Sequence, residues 1–290
     1  VAKKDTGPEQ RERIIDVLGS KGSIRRKCAV LGFRRPTYYS RKGGCRPERG
    51  NDVLRRQLHS VTKMFVAWGF WMIFYYLRNQ GFTWNHKRVY RVWKEEGLHL
   101  RKRPSRPKIR REYLDLIAPN SINEGWAMDF LSEWVIGGTG QSVRVINVID
   151  ECSRRALWTE SHVSITGKKL TGILDKIIEW RGKPAYIRCD NGPEFICEHL
   201  KEWAKGKEID IRNIQPGKPT QNGIVERLNG TLRNECLNLE WFESLQQLNQ
   251  KLQEWSMTYN HQRPHSAIKF KTPAQFEEIN HLLYYNLVTT

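Results

Sequence analysis

Three acidic residues of this sequence stand in settings from which they could reach a single site. Asp129 lies within the apolar run 126–131, Asp190 follows the apolar run 185–189, and Glu226 lies in a segment with helical periodicity. An acid inside an apolar strand is costly unless something cationic meets it. Three converging carboxylates would raise one another's pKa unless a divalent metal neutralised them. Such an all-oxygen site favours magnesium or manganese.

Two such ions a few ångströms apart can activate a nucleophile and stabilise the leaving oxygen at a phosphodiester. Each acid also has a purely structural interpretation. Asp190 before Asn-Gly is a good turn residue, and Glu226 could be an ordinary exposed glutamate of a helix. Asp150 competes as a candidate, but its Asp-Glu-Cys-Ser sequence indicates a hairpin turn. The convergence of three acids, and no single one of them, therefore supports the metal site.

The elements that must position these acids alternate between strand and helix. Short apolar runs predict five strands, at 126–131, 143–149, 155–159, 185–189 and 209–211. The first three form a meander. Intervening segments predict a helix that Thr166 caps, a helix over 193–203 and a helix over 221–236. Strand alternation places Asp129 on one face with Ala127 and Leu131. The back half is therefore predicted to be an α/β domain.

The helix predicted over 221–236 carries two stripes at 100° per residue. The stripe that should face the core consists of Val225, Leu228, Leu232 and Cys236. A second stripe, about a quarter-turn away, consists of Asn222, Glu226, Asn229 and Arg233. If the strands that carry Asp129 and Asp190 are neighbours and this helix packs on their sheet, the three acids converge.

The charge distribution indicates a polyanionic partner. The 290 residues carry a net charge of +18, and residues 1–118 have 29 Lys and Arg against 10 Asp and Glu. Residues 119–290 have 20 against 21. A hydrophobic share of 39% excludes a disordered basic tail. The 14-residue apolar run 64–77 is too short for a membrane helix, so no membrane partner is predicted. Six scattered cysteines indicate reduced thiols and a cytoplasmic protein.

The basic front half offers three candidate DNA-binding segments. Two short helices around Gly32 suit a helix-turn-helix, with Arg34 and Arg35 available for DNA. A helix that Asn85 caps is apolar on one side and cationic on the other, where it carries Lys87, Arg88 and Arg91. The run 101–111 has seven cations, among them Arg101, Lys102 and Arg103, and two prolines that exclude a regular helix. The alternative is that these cations are merely solvated.

Three motifs resemble the catalytic segments of Asp-Asp-Glu transposases and retroviral-type integrases. They are Trp126-x-x-Asp129-Phe130, Asp190-Asn-Gly-x-Glu194-Phe195 and Gln221-Asn-Gly-x-Val225-Glu226-Arg227-x-Asn229-Gly230-x-Leu232-Arg233. The last two acids are separated by 35 residues, as is typical of the family, and Arg233 stands at its usual basic position. Residues 85–98, 259–265 and 272–273 extend the resemblance to the second reading-frame product of the bacterial insertion-sequence IS-three family.

The resemblance implies a ribonuclease-H-like core, a five-stranded mixed sheet with flanking helices, after an all-helical basic DNA-binding region. It makes Asp129, Asp190 and Glu226 the ligands of two Mg²⁺ ions, with Mn²⁺ able to substitute. Arg233 and Asn229 would contact DNA. We divide the chain into a helix-turn-helix-like segment (1–46), a helical DNA-binding domain (47–100), a basic linker (101–118), the catalytic core (119–240) and a C-terminal helical extension (241–290).

The function expected from the resemblance is that of a DNA transposase. Such an enzyme binds the terminal inverted repeats of an insertion sequence, cleaves a strand and transfers it to target DNA. A homo-oligomer on DNA, the first reading-frame product as a further partner, and a place beside the bacterial nucleoid are implied as well. A metal-dependent nuclease of the same fold and a catalytically idle DNA-binding regulator are the alternatives. The complete acid triad argues against the regulator, and the long match outside the triad argues against the nuclease.

Overall fold

The computed structural model describes residues 8–18, 22–42, 51–100, 119–137, 140–215 and 219–288. The predicted linker 101–118, with Arg101, Lys102 and Arg103, lies outside these residues. By its contacts the chain forms two compact units, Val1–Arg56 and Gln57–Thr290. None of the helices in the described ranges has the length and apolar character that crossing a bilayer requires.

The first unit contains three short helices, α1 (Pro8–Val17), α2 (Ile24–Val30) and α3 (Arg35–Lys42). Ser23 caps α2 by accepting a hydrogen bond from the N–H of Arg26. One small core joins the three helices and consists of Ile15, Cys28, Phe33 and Tyr38. Helices α2 and α3 are the two short helices that the sequence predicts around Gly32.

The helical part of the second unit contains α4 (Asp52–Met64), which begins in the first unit, α5 (Phe70–Asn79) and α6 (His86–Glu95). Asn85 caps α6, as predicted, because its side-chain oxygen accepts the N–H of Lys87 at 2.9 Å. The buried face of α6 consists of Val89, Val92 and Trp93. The opposite face of α6 carries the cationic residues of the helix.

A five-stranded mixed sheet forms the centre of the second unit. Its strands are β1 (Gly125–Val135), β2 (Gln141–Asp150), β3 (Ala156–His162), β4 (Tyr186–Cys189) and β5 (Asp210–Asn213). They lie in the order β3-β2-β1-β4-β5. The first three strands pair antiparallel, whereas β1, β4 and β5 pair in parallel. This topology confirms the predicted mixed sheet and makes β1 and β4 neighbours.

Six helices accompany the sheet in the described ranges: α7 (Gly167–Arg181), α8 (Pro193–Ile196), α9 (Glu198–Lys207), α10 (Gly223–Leu232), α11 (Leu245–His261) and α12 (Pro273–Val288). Two features differ from the sequence prediction. The single helix predicted over 193–203 is two helices, because Cys197 between them adopts an extended backbone. The helix predicted over 221–236 ends at Leu232 and continues as a π-helical turn, Arg233–Leu237.

The side-chain alternation of β1 divides the core into two layers. On one face, α10 and α11 pack against the sheet. The core on this face includes Ala127, Leu131 and Val135 of β1 and Val225, Leu228 and Leu232 of α10. Trp126 and Met128 point to the other face, where they pack against α7 and α9. Asp129 belongs to the first face by alternation, so it lies on the side of the sheet that α10 covers.

Candidate active site

Asp129 and Asp190 come from adjacent parallel strands. In the register of β1 and β4, Ala127 pairs with Arg188. Asp129 and Asp190 each lie two residues further along their own chain segment. Because the carboxyl ends of parallel strands meet at the same edge of a sheet, the two acids lie side by side at that edge.

Hydrogen bonds hold both Asp129 oxygens. Oδ1 accepts the backbone N–H of Phe130 at 2.8 Å, and Oδ2 accepts Nδ2 of Asn229 at 2.8 Å. Asn229 lies on α10, one turn after Glu226 on the same stripe. The contact therefore ties the helix that carries Glu226 to the strand that carries Asp129.

The electrostatic environment of Asp129 reports the proximity of the other two acids. Burial is the main cause that raises the pKa of Asp129, and it reaches about 6. The charges of Asp190 and Glu226 raise it as well. The hydrogen bonds from Phe130 and Asn229 act in the opposite direction because they favour the ionised form. Asp190 and Glu226 are therefore both close enough to Asp129 for their charges to act on it.

Glu226 projects from the solvent side of α10. Its neighbours Val225 and Leu228 are buried against the sheet, whereas Glu226 itself is exposed. Partial desolvation raises the pKa of its carboxyl. The start of this helix is tied to β1 because buried Asn222 donates to the carbonyl of Met128 at 3.4 Å. The backbone of Glu226 is thus fixed, while its side chain has room to rotate.

A second buried amide supports Asn229. Nδ2 of Asn147, which lies opposite Asp129 in the register of β1 and β2, donates to Oδ1 of Asn229 at 2.7 Å. Asn147 is completely buried, and its own Oδ1 has no partner among the described residues. Because the Asn229 carbonyl accepts from Asn147, the Asn229 NH₂ group must face Asp129. The two amides thus form a relay that orients the Asp129 carboxylate.

The loop that carries Asp190 is fixed on both sides. The N–H of Gly192 donates to Oδ1 of Asp190 at 2.9 Å, and Nδ2 of Asn213 donates to its carbonyl at 2.9 Å. Glu194, at the start of α8, forms an ion pair with Arg144 of β2. One Asp190 oxygen is therefore engaged in a turn, which matches the structural interpretation of this residue and leaves Oδ2 available to a ligand.

The side chains as placed do not form a finished metal site. Within the described ranges, no group of three or more His, Cys, Asp or Glu residues has an arrangement that could hold a metal ion. The donor chemistry nevertheless suits a hard divalent cation, because the three acids offer carboxylate oxygens and the charges of two of them raise the pKa of the third.

Asp150, the competing acid, has a structural role. It is fully buried, and its Oδ1 accepts the N–H groups of Cys152 and Ser153 at 2.9 and 2.8 Å. Its Oδ2 accepts from the N–H of Asn123 and forms an ion pair with Arg181. These contacts confirm that Asp150 builds the turn after β2.

The residues predicted to contact DNA lie in different environments. Arg233 is exposed and donates to the carbonyl of Ser132 at 3.1 Å. Asn229 is only 8% exposed, and both ends of its amide are already engaged. In the helical region the exposed cations include Arg34, Arg35, Lys87 and Arg91, whereas Arg88 is half-buried. Arg91 also lies 3.6 Å from Glu95.

Comparison with known families matches three parts of the chain. Two models of the integrase core domain match residues 119–219 and 207–273. A model of an HTH-like domain matches residues 53–106, which include most of α4 and all of α5 and α6. The match to the HTH-like model thus covers the second helical segment, whereas the sequence alone suggested a helix-turn-helix in residues 1–46.

A relative from Burkholderia multivorans decides the family. The chain is 34% identical to the insertion element IS407 uncharacterized 31.7 kDa protein over 255 residues, 88% of this chain and 90% of that protein. The chain belongs to the integrase-core transposases of bacterial insertion elements. This transposase is also 24% identical to transposase InsD of insertion element IS2A/D/F/H/I/K from Escherichia coli, over 78% of each chain. The relatives confirm the IS-three family predicted from the motifs.

A solved structure is similar to part of the transposase. It is the HTLV-2 integrase catalytic core domain in complex with magnesium, with a TM-score of 0.41 and 21% sequence identity. The similarity covers 53% of the transposase and 94% of that chain.

Membership of the family makes this chain a DNA transposase with an HTH-like DNA-binding domain, and its reaction class is polynucleotidyl transfer.

Sequence reasoning missed two residues near the site of the transposase. Asn147 carries a signal that could have revealed it, because it is a lone amide within the apolar strand 143–149. The same argument singled out Asp129. Arg154 lines a cavity beside Glu226, and its position in a turn gives no such signal. Only the folded arrangement brings Arg154 to Glu226.

Proposed function

We propose that Asp129, Asp190 and Glu226 are the catalytic residues and that they hold two divalent ions. Magnesium is the proposed metal, and manganese can substitute because both ions take hard oxygen ligands. The observation that supports this most strongly is the electrostatic coupling of Asp129 to both other acids, in a strand edge covered by α10. Three clustered negative charges would be relieved by a cation between them.

Ligation by all three acids would require side-chain rotation, chiefly of Glu226. Its exposed side chain on a fixed helix can make that movement, whereas Asn229 holds Asp129 in place. Asp190 would contribute the oxygen that the turn to Gly192 leaves available. The Glu226 side chain would then rotate toward Asp129 and Asp190 as the metal binds.

The proposed reaction has two steps at phosphorus. In the first, a water oxygen joins the phosphorus at the end of the element, and the 3′ oxygen leaves with a proton as a free hydroxyl. In the second, that hydroxyl attacks another phosphodiester in line. Its oxygen bonds to the phosphorus, the 3′ oxygen of the attacked strand leaves, and the proton of the attacking hydroxyl ends on that leaving oxygen. When bound, the ions would supply activation of the attacking oxygen and stabilisation of the leaving oxygen. The protein contributes mainly positioning and charge stabilisation.

The basic front half is proposed to bind the terminal inverted repeats as double-stranded DNA. Arg34, Arg35, Lys87, Arg88, Arg91 and the linker cations Arg101, Lys102 and Arg103 would follow the phosphates, and Arg233 would contact the backbone near the acids. We assign Asn229 to positioning Asp129, because its amide is buried and engaged. A homo-oligomer on DNA, joined by the first reading-frame product, is proposed to act on element and target DNA in the bacterial cytoplasm.

A strand-transfer assay tests this function. The DNA carries the labelled ends of the insertion element that encodes the chain, and the reaction contains magnesium. Joined products are expected. Cleavage without any joined product would instead establish a nuclease, and DNA binding without cleavage in either metal would establish a regulator. Binding should weaken steeply with added salt because phosphate contacts release counterions.

A further inference from the structure

A cavity adjoins Glu226 at α10. It has a volume of about 570 Å³ and lies between α10 and the segment that joins α11 to α12. This size falls in the range of sites that hold small molecules, roughly 300–1,000 Å³. The cavity and the proposed catalytic acids thus share one residue, Glu226, as a common wall.

One part of the cavity wall is cationic. As far as the described residues define it, the lining includes three arginines and one acid. Arg263 is already paired with Glu235 at 2.9 Å. The buried Nε of Arg154 has no hydrogen-bond partner among the described residues. A guanidinium in a half-buried position is costly unless an anion meets it.

Arg227 adds a second cation that is open to a ligand. It is exposed on α10, one residue after Glu226, and lines the cavity together with Arg154. The neighbouring His265 contributes no charge at neutral pH, because burial and then the nearby Arg263 lower its pKa to about 3. The cationic character of the wall therefore comes from arginines, which match phosphate oxygens in geometry as well as charge.

Another part of the wall is aromatic. The ring of Phe270 lines the cavity and is stacked on Tyr75 of α5, with ring centroids 3.8 Å apart and an angle of 10° between the planes. Met72 and Tyr259 continue this apolar surface. A ring fixed from behind by a second ring is a suitable platform for a nucleobase, because every base has a flat face that can stack.

Two of the lining residues are held in an unusual backbone conformation. Arg154 has a φ of +63° and Phe270 a φ of +58°, in the left-handed region that residues with a side chain rarely adopt. Such conformations concentrate at ligand and active sites, where the surrounding structure maintains them. Here they deliver the Arg154 guanidinium and the stacked ring to the same cavity.

We propose that this cavity is a nucleotide site, which takes one nucleotide of the bound DNA strand after it has left the base stack. Arg154 and Arg227 bind its phosphate, and its base lies against Phe270. The site rests on the proposed function, because a strand reaches it only when DNA lies at Glu226. It would hold the strand beside the reacting phosphodiester and so fix the register of cleavage.

The test is a saturation-transfer NMR titration of the full chain with thymidine 5′-monophosphate in metal-free buffer. Arg154→Gln is expected to weaken binding about tenfold, because the phosphate loses a charged hydrogen-bond donor. Phe270→Leu should weaken it at least about fivefold through lost stacking. The matched control is Lys201→Gln on α9, an exposed cation that does not line the cavity, and it should leave binding unchanged.

Two separate arms, a titration with thymidine and a competition of inorganic phosphate against thymidine 5′-monophosphate, distinguish the two halves of the ligand. Both should bind more weakly than the nucleotide. If phosphate binds as tightly and Phe270→Leu has no effect, the cavity is a plain anion site and the proposal is wrong. If Arg154→Gln fails to fold, Arg227→Gln on the exposed side of α10 replaces it. Unchanged binding in Arg227→Gln and Phe270→Leu would overturn the proposal.

The nucleotide-binding test does not depend on whether the three acids are the catalytic residues. Asp129→Asn should bind thymidine 5′-monophosphate as the unmodified chain does and should lose DNA cleavage. Cleavage that survives in Asp129→Asn would contradict the proposed triad alone.

A final arm places 2-aminopurine in a single-stranded oligonucleotide, and quenching of its fluorescence by the chain should decrease in Phe270→Leu. Quenching that is equal in both proteins would count against stacking on Phe270.

Discussion

The relay from Asn147 through Asn229 to Asp129 can be tested by a double-mutant cycle. Leucine has a side chain of similar shape to asparagine but can neither donate nor accept a hydrogen bond. Asn147→Leu removes the donor to Asn229, and Asn229→Leu removes both the donor to Asp129 and the acceptor for Asn147. The double variant removes the whole amide pair from the buried face between β2 and α10.

The magnitudes follow from which groups are left without partners. Asn147→Leu leaves the Asn229 carbonyl buried and unpaired, but it also removes the Asn147 Oδ1 that already lacks a partner in the described structure, so a cost of about 1–2 kcal/mol is expected. Asn229→Leu leaves the buried Asn147 amide without its acceptor and should cost about 2–4 kcal/mol. The double variant should cost about 2–3 kcal/mol, because neither amide is then left behind and only Asp129 loses its donor.

Urea unfolding of the four proteins measures the coupling. The double variant should be less destabilised than the sum of the single variants by about 1–3 kcal/mol. Additive effects, within about 0.5 kcal/mol, would refute the relay. All three variants should also slow DNA cleavage, since Asp129 loses its fixed orientation, and the two variants that lack Asn229 should slow it most.

Three further predictions concern the frame around the site. Gly125→Ala should cost about 1–3 kcal/mol in thermal unfolding, because its Cβ would overlap the Tyr186 ring, whose hydroxyl donates to Glu151 at 2.6 Å; an unchanged melting temperature would contradict this packing. Glu277→Gln should cost about 3 kcal/mol in urea unfolding, because it breaks the buried pairs with Arg155 and Arg181. Although burial alone would raise the pKa of Glu277, hydrogen bonds from Arg181 hold it below its ordinary value. The stabilisation that ionised Glu277 contributes should therefore be complete above about pH 4.5 and be lost as the pH falls further. Glu277→Gln should not show this loss of stability. Glu194→Gln should cost about 1 kcal/mol in urea unfolding and slow cleavage, because the Arg144 pair holds the Asp190 loop; an unchanged cleavage rate would show that the pair does not position Asp190.

The elements of the core could be predicted because their signals are local. Five apolar runs became five strands, and the caps at Asn85 and Thr166 mark helix starts in the structure. The break at Cys197 was missed because nothing in the pattern of 193–203 requires an extended residue there. The π-helical turn after Leu232 was missed because the apolar stripe continues through it to Cys236.

The site could be predicted only in part, for a similar reason. Asp129 carries its own signal as an acid in an apolar strand. Its position beside Asp190 follows from the pairing of β1 with β4. The contacts of Asn229 and the approach of Arg154 to Glu226 depend on how α10 and the β2–β3 turn pack. Such contacts join residues far apart in the sequence, so periodicity does not reveal them.

The central claim is that the three carboxylates act together on one metal-dependent reaction. Its most direct test is the rate of magnesium-dependent cleavage of the element's end by Asp129→Asn, Asp190→Asn and Glu226→Gln, with Glu202→Gln on α9 as the control. Each of the three should lose at least about 100-fold in rate while DNA binding and folding persist. The control should cleave normally. Cleavage at the unmodified rate by any of the three variants would contradict the account.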